Sequence, residues 1–415
     1  MIRTVPTVLI ALITALPSTA SDEMQWRERF QSVTSTNFDQ GGAVSHQFHL
    51  HAESYLTTAT VTAPSRTRTL PVRLDADLAE LSVRHRNGED SFSSYVAAEP
   101  WISSVIVLQA GEVVFEAYPR MQPEQRHLAW SVSKAITGAV LAALVHDSRI
   151  DLGRTVSHYI PELTETSWSE LTVRDVANMA SGINCLDSDG YQDPTTCVYR
   201  MEEALGITAD RGYEAGLMEH FAGMGRRRPP GEVFEYVSAN TNMLGLIAEA
   251  ASGQPFATLL SEQIWRPIGA ESDALLAINQ DGYSYASGGV IARLRDIARL
   301  GEIFMKPARF GVLSDTLIDA MQYRDGVSFN EDRQASLDKE FSADAPKRAA
   351  WQWDLIWADG GMYKGGYLGQ GLYVDPDREL VIAWFGTGED FNAKRNDMPS
   401  VSRQIARSGV FGADA

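Results

Sequence analysis

Cysteine is nearly absent: Cys185 and Cys197 are the whole supply in 415 residues. Two cysteines do not make a zinc site. Lysine is scarce as well, six residues against thirty arginines. Beyond the N-terminus no apolar run reaches membrane-spanning length. Basic residues are outnumbered, 36 against 54 acidic, giving a net charge of −18. Such a surface repels phosphate backbones and argues against nucleic acid and anionic membranes as partners. No Gly-x-Ser-x-Gly elbow is present, which disfavours an α/β-hydrolase. No Gly-x-Gly-x-x-Gly or Walker sequence points to a nucleotide. His46, His49 and His51 are close in sequence, but no carboxylate-rich metal motif follows and His-Glu-x-x-His is missing, so no metal is expected. Repeats and low-complexity linkers are missing too.

What is there describes a folded chain. Hydrophobic residues make up 44% and charged residues 22%, enough for one large domain or two intimately packed ones. Residues 1–20 read as a signal peptide: Arg3 is the basic start, Val8 to Leu16 the apolar core, and Ser18-Thr19-Ala20 the small-residue cleavage site. The expected mature chain is 21–415, periplasmic or secreted, and loss of Arg3 takes its net charge from −18 to about −19. In an oxidising compartment Cys185 and Cys197, twelve residues apart, suit a local disulfide; two free buried thiols are the alternative.

Strand patterns come first, helices fill the middle, and strands close the chain. His46 to His51 is strand-like. Ser104–Gln109 and Val113–Tyr118 read as a hairpin turning at Ala110-Gly111. Ser131 opens a helix running to about Val145. Further helices are expected at Val173–Met179, Tyr199–Leu205, Asn242–Ala251 and Leu294–Met305. Strands return at Tyr367–Val374 and Glu379–Phe385 around Asp375-Pro376-Asp377. This order predicts a sheet assembled from about 45–125 and 280–415, with a helical region at about 131–280 inserted.

One motif carries chemistry. Ser131-Val-Ser-Lys134 places a hydroxyl and an amine on one helix face, with the hydroxyl at the helix start, where free N–H groups favour negative charge. A hydroxyl needs a base to become a nucleophile, and a desolvated lysine is one, whereas arginine stays protonated. A second match, Ser336-Leu-Asp-Lys339, lies among charged residues and reads as a solvated segment. Only the first leads into a helix fit for burial, Ala135 to Leu144.

Around that motif the chain resembles the class C β-lactamase-related serine hydrolases. The likeness runs through Trp130-Ser-Val-Ser-Lys-Ala-Ile-Thr137, Ile150-Asp-Leu-Gly153 and Val156-Ser-His-Tyr-Ile-Pro161. It continues in Leu171-Thr-Val-Arg174, Met179-Ala-Ser-Gly182 and Pro230-Gly-Glu-Val-Phe-Glu-Tyr236. Ala286-Ser-Gly-Gly289 and Lys364-Gly-Gly-Tyr-Leu-Gly-Gln370 complete it, so that it spans roughly 45–410. It implies an α+β, β-lactamase/transpeptidase-like fold: an antiparallel sheet flanked by helices, with the site between sheet and helical region. Tyr236 resembles the tyrosine of the Tyr-x-Asn motif, and a phenol beside a lysine ammonium is expected to ionise more easily and shuttle a proton. By the same resemblance the backbone N–H groups of Ser131 and Tyr367 form an oxyanion hole.

The 6-aminohexanoate-dimer hydrolase and carboxylesterase branch fits best. Ser238 stands where lactamases often have Asn, and Gly365 where Lys-Thr-Gly has Thr. Ser238-Ala-Asn240 also mimics the Ser-x-Asn of penicillin-binding proteins. The resemblance makes Tyr191 a contact for the scissile amide, an ordinary loop tyrosine being the alternative. Lys364 and Gly366 are expected on the strand beside the nucleophile, and Trp353 along the cleft, core packing being the alternative for Trp353. The implied activity is hydrolysis of small amides or esters through an acyl-serine, with no cofactor. A β-lactamase or D-amino-acid peptidase is the runner-up, and a catalytically silent binding homologue a third reading.

Overall fold

Ala110 and Gly111 both take positive φ, +51° and +83°, the backbone twist that suits a two-residue hairpin. In the computed structural model, which describes residues 20–390 and 396–411, this turn joins two strands near the start of the main sheet. The expected leader, apart from Ala20, lies outside the described residues.

In chain order the first strands are β1 (Thr58–Val61), β2 (Ser82–His85), β3 (Gly88–Ser91), β4 (Ile102–Gln109) and β5 (Glu112–Ala117). Then come β6 (His127–Leu128), β7 (Ala274–Ala277), β8 (Val290–Ala292) and β9 (Val327–Ser328). The last are β10 (Arg348–Ala350), β11 (Trp353–Ile356), β12 (Met362–Gly365), β13 (Gly371–Asp375) and β14 (Leu380–Gly386). The main sheet runs β5-β4-β14-β13-β12-β11-β10-β9, with antiparallel neighbours throughout. The pairing of β14 with β4, Ile382 opposite Val107, joins the two ends of the chain as the sequence order implied. A second sheet, β1-β7-β8-β6, was not foreseen; its strands are two to four residues long, too short for a period to show.

β14 is buried along its whole length, which a strand covered on both faces requires. Val381, Ala383 and Phe385 enter one core, shared with the helix Val132–His146. Leu380, Ile382 and Trp384 enter the other, shared with the helix Met398–Ala406. Each large side chain so buried contributes roughly 1.5–3 kcal/mol over an exposed one. The sheet is therefore a rigid floor for whatever β12 and the Val132–His146 helix carry.

Three local expectations are corrected. His46 to His51 lies within and just beyond a helix, Gly42–Leu50. Its buried positions Ser45, Phe48 and His49 are three and four residues apart, a helical period that a six-residue window did not separate from alternation. The strand expected from Tyr367 starts only at Gly371, because Leu368 and Gly369 turn at φ +67° and +125°. The helix expected over Leu294–Met305 is α-helical to Gly301 and closes in a 3-10 turn, Glu302–Phe304.

Candidate active site

Trp130 adopts φ +43°, a sparsely populated conformation for a large side chain. It swings the chain out of the Leu128–Ala129 extension and into the helix whose N-cap is Ser131. The Ser131 side chain makes no capping bond, so its Oγ is left to the cleft. The Trp130 ring is fixed from outside the motif: its Nε1 donates to His49 Nε2 at 2.7 Å. Burial pushes the His49 imidazole well below its usual range, so Nε2 accepts, and Nδ1 is then the donor to Thr387 Oγ1 at 2.9 Å. The histidine thus holds the ring of Trp130, the residue before Ser131.

One turn along the helix, Lys134 Nζ donates to Ser131 Oγ at 3.0 Å and to the Ser287 carbonyl at 2.9 Å. Its side chain is 1% exposed. Desolvation lowers its pKa to about 7, opposed by the Asp187 carboxylate and assisted by Lys364. Half of such amines are neutral at pH 7 and able to take a proton. Ser336 and Lys339 lie on the exposed side of the helix Glu331–Phe341.

Tyr236 lines the same cavity as Ser131 and accepts from Lys364 Nζ at 2.9 Å. The same Nζ donates to both oxygens of Asp354 at 2.7 Å. The expectation of an easily ionised phenol is corrected here. Burial first, then the Asp354 and Asp187 carboxylates, push the Tyr236 pKa well above the usual value. Asp354 neutralises the ammonium that was to have helped. Tyr236 is thus a held phenol with a proton to give. Gly365 has no room for a side chain, since a Cβ there would lie 2.6 Å from Tyr363 Oη. At Gly366 a Cβ would meet the Ala129 carbonyl at 2.9 Å, so the chain just past β12 runs close to the segment that leads into Ser131.

Ser131 and Tyr236 open into a cavity of about 510 Å³, lined also by Tyr191, Gly366 and Tyr367. That size suits a small organic ligand. Asp187, from the 182–200 loop, organises one wall. It accepts from the Ser238 N–H and Oγ, each at 2.6 Å, and from Tyr191 Oη. Ser238, expected on substrate, instead spends its hydroxyl on Asp187. The Cys185–Cys197 disulfide, S–S 2.10 Å, ties this loop to the helix Cys197–Ala204.

Two expected contacts are corrected. Asn240 is fully buried and turns its amide toward Met179 Sδ at 3.7 Å. Trp353 packs edge-on against Phe304 in the core. Both residues sit at buried positions facing away from the cavity, since neighbours in sequence on a strand or helix point in different directions. Asp354, next to Trp353, faces the cavity instead. Sequence reading also missed Phe38, Asp39, Glu202, Tyr285 and Arg333, all cavity-lining. They come from segments without a motif; only the alternation Trp353-out, Asp354-in was in principle readable.

A model of the Beta-lactamase family matches residues 101–407. A 6-aminohexanoate-dimer hydrolase from Paenarthrobacter ureafaciens is 30% identical over 296 residues, covering 70% of this chain and 74% of its own. Among solved structures, a candidate 6-aminohexanoate-dimer hydrolase from Bacillus anthracis superposes with a TM-score of 0.76 at 24% identity, over 92% of this chain and 97% of its own. A D-stereospecific amidohydrolase from Streptomyces sp. gives a TM-score of 0.54 at 17% identity, over 76% and 96%. The two structural likenesses concern the fold.

Proposed function

The chain belongs to the Beta-lactamase family, and from that premise we propose that Ser131, Lys134 and Tyr236 carry out acyl transfer on linear amides and short esters. The protein is a serine hydrolase of the β-lactamase/transpeptidase-like α+β fold. The observation that carries the residue assignment is the buried Lys134 amine, 3.0 Å from Ser131 Oγ with its pKa near 7.

In this reading neutral Lys134 takes the Ser131 proton as Oγ attacks the carbonyl carbon. The N–H groups of Ser131 and Tyr367 receive the oxyanion. Tyr236 gives its proton to the leaving nitrogen and recovers one from Lys134. Lys364 keeps the phenol oriented, since its own N–H occupies a lone pair of the tyrosine oxygen. Water then enters and attacks the acyl carbon, its proton passes by way of Lys134 to the departing Ser131 Oγ, and the acid is released with Lys134 neutral again.

The substrate assignment to the amide- and ester-cleaving branch rests on three supports. The 30%-identical relative is a 6-aminohexanoate-dimer hydrolase. Tyr363 fills the space in which a Thr side chain at position 365 would bind a lactam carboxylate. Ser238 is already committed to Asp187. We also read the protein as exported, with the disulfide formed in an oxidising compartment; the N-terminal sequence of the mature chain, expected to start at Ser21, tests this.

A three-substrate comparison of kcat/KM tests the substrate class: p-nitrophenyl butyrate, the linear 6-aminohexanoate dimer and nitrocefin. The ester and the amide are expected to be turned over better than nitrocefin. Nitrocefin turnover tenfold above both, about 1.4 kcal/mol of transition-state binding, would return the protein to the lactamases and leave the acyl-serine in place.

A further inference from the structure

The cavity carries a cation that the acyl-transfer chemistry does not use. Arg333 lines it together with Ser131. It is held at the third position of the helix Glu331–Phe341 by its N–H bond to the Asn330 cap. Among the described residues its guanidinium has no hydrogen-bond or ion-pair partner, although arginine is the side chain best shaped to grip a carboxylate with two bonds. Its field reaches Tyr363, Lys364 and Glu340. Lys364 is already paired with Asp354, and Glu340 is not among the cavity-lining residues. Four acids share the cavity with it: Asp354 is taken up by Lys364, and Asp187 by Ser238 and Tyr191. The other two, Asp39 and Glu202, bear on Tyr367, a residue that Arg333 does not reach.

We propose that Arg333 is a specificity-determining residue that anchors a carboxylate on the leaving half of the substrate. The proposal rests on the serine-hydrolase reading and adds to it a polarity of binding. In a linear amide joining two ω-amino acids, the acyl half ends in an ammonium and the leaving half in a carboxylate. Only one orientation across Ser131 then sets the carboxylate at Arg333 and the ammonium toward Asp39 and toward Glu202, whose carboxyl burial pushes up to about 8 and which an arriving ammonium would help to ionise. The opposite orientation places like charges together at both ends, which Coulomb repulsion opposes. Arg333 faces water before substrate arrives, so its contribution falls with salt.

The test compares matched substrates that differ only in the leaving-group charge. One pair is para-butyryloxybenzoate and its methyl ester; the other is the 6-aminohexanoate dimer and its C-terminal carboxamide. The expected result is a preference of about fivefold or more for the free carboxylate. It should appear in KM and shrink in high salt. Arg333→Gln is expected to bring the ratio to about one, Arg333→Lys to keep part of it, and Arg333→Glu to reverse it. Ratios within each variant cancel any general loss of activity. A wild-type ratio of one, a ratio that survives Arg333→Gln, or an effect confined to kcat would overturn the proposal. If the ester pair behaves as expected while neither amide is cleaved, the amide assignment fails and the role of Arg333 stands. Inertness toward both pairs would overturn both.

Discussion

Lys134 owes its basicity to its surroundings. A lysine in water is charged at every physiological pH, and a charged amine cannot take the Ser131 proton. Burial at 1% exposure penalises the ammonium and brings the pKa to about 7. The sign of the pH dependence follows. Below that value the protonated fraction grows and acylation falls about tenfold per pH unit; above it the rate levels off. The first arm of kcat/KM for p-nitrophenyl butyrate is therefore expected near pH 7. Lys134→Arg, which keeps the charge at all pH values, is expected to lower kcat/KM by about 10²- to 10⁴-fold. A rate independent of pH between about 5 and 8, or an active Lys134→Arg variant, would remove Lys134 from the base role. Tyr236 moves in the other direction, its phenol stabilised by burial and by Asp354 and Asp187, which suits the donor role proposed for it. The sequence showed which residue types meet here, because Ser131 and Lys134 are one turn apart. It did not show the charge balance, because Asp354 reaches Lys364 across adjacent strands β11 and β12.

The elements that present these side chains were legible to differing degrees. The helix Val132–His146 announced itself by an unbroken apolar stretch, and the β4–β5 hairpin by its turn. The helix Gly42–Leu50 did not, because its nine residues hold too few turns to display a period and its role is tertiary, bringing His49 to Trp130. The turn between β10 and β11 was equally hidden. Trp351 and Gln352 both take positive φ there, +50° and +73°. Gln352 is buried and locked to Thr241 Oγ1 and the Val176 and Ala177 carbonyls. This turn presses on the nucleophile helix at Gly138, where a Cβ would lie 2.6 Å from the Trp351 carbonyl. Glycine inside a helix costs about 1 kcal/mol relative to alanine, so its presence marks the close approach. Gly138→Ala is expected to destabilise the protein by about 1–2 kcal/mol net, the overpacking exceeding the gain in helix propensity. Thermal unfolding would show a Tm lowered by several degrees; an unchanged or higher Tm would mean that the turn yields.

At the scale of the whole molecule, a sheet closed by both chain ends fixes β12 beside the start of the Val132–His146 helix, and the cleft lies where they meet. Segments far from the family's motifs finish it. Phe38 and Asp39 come from before β1, Glu202 from the helix joined to the disulfide, and Arg333 from the helix before β10. Such residues carry no signature, since a lone acid, ring or arginine reads as surface until the fold places it. The substrate end of the cavity was correspondingly the part least readable from the sequence, and the nucleophile end the most. The nucleophile end is also where one measurement bears most directly. Fluorophosphonate labelling of the intact protein, followed by peptide mapping, locates the reactive hydroxyl. A single adduct on Ser131, formed faster as the pH rises through about 7 and absent in Ser131→Ala, is the expected result. An adduct on Ser336, or labelling that survives Ser131→Ala, would contradict the acyl-serine assignment.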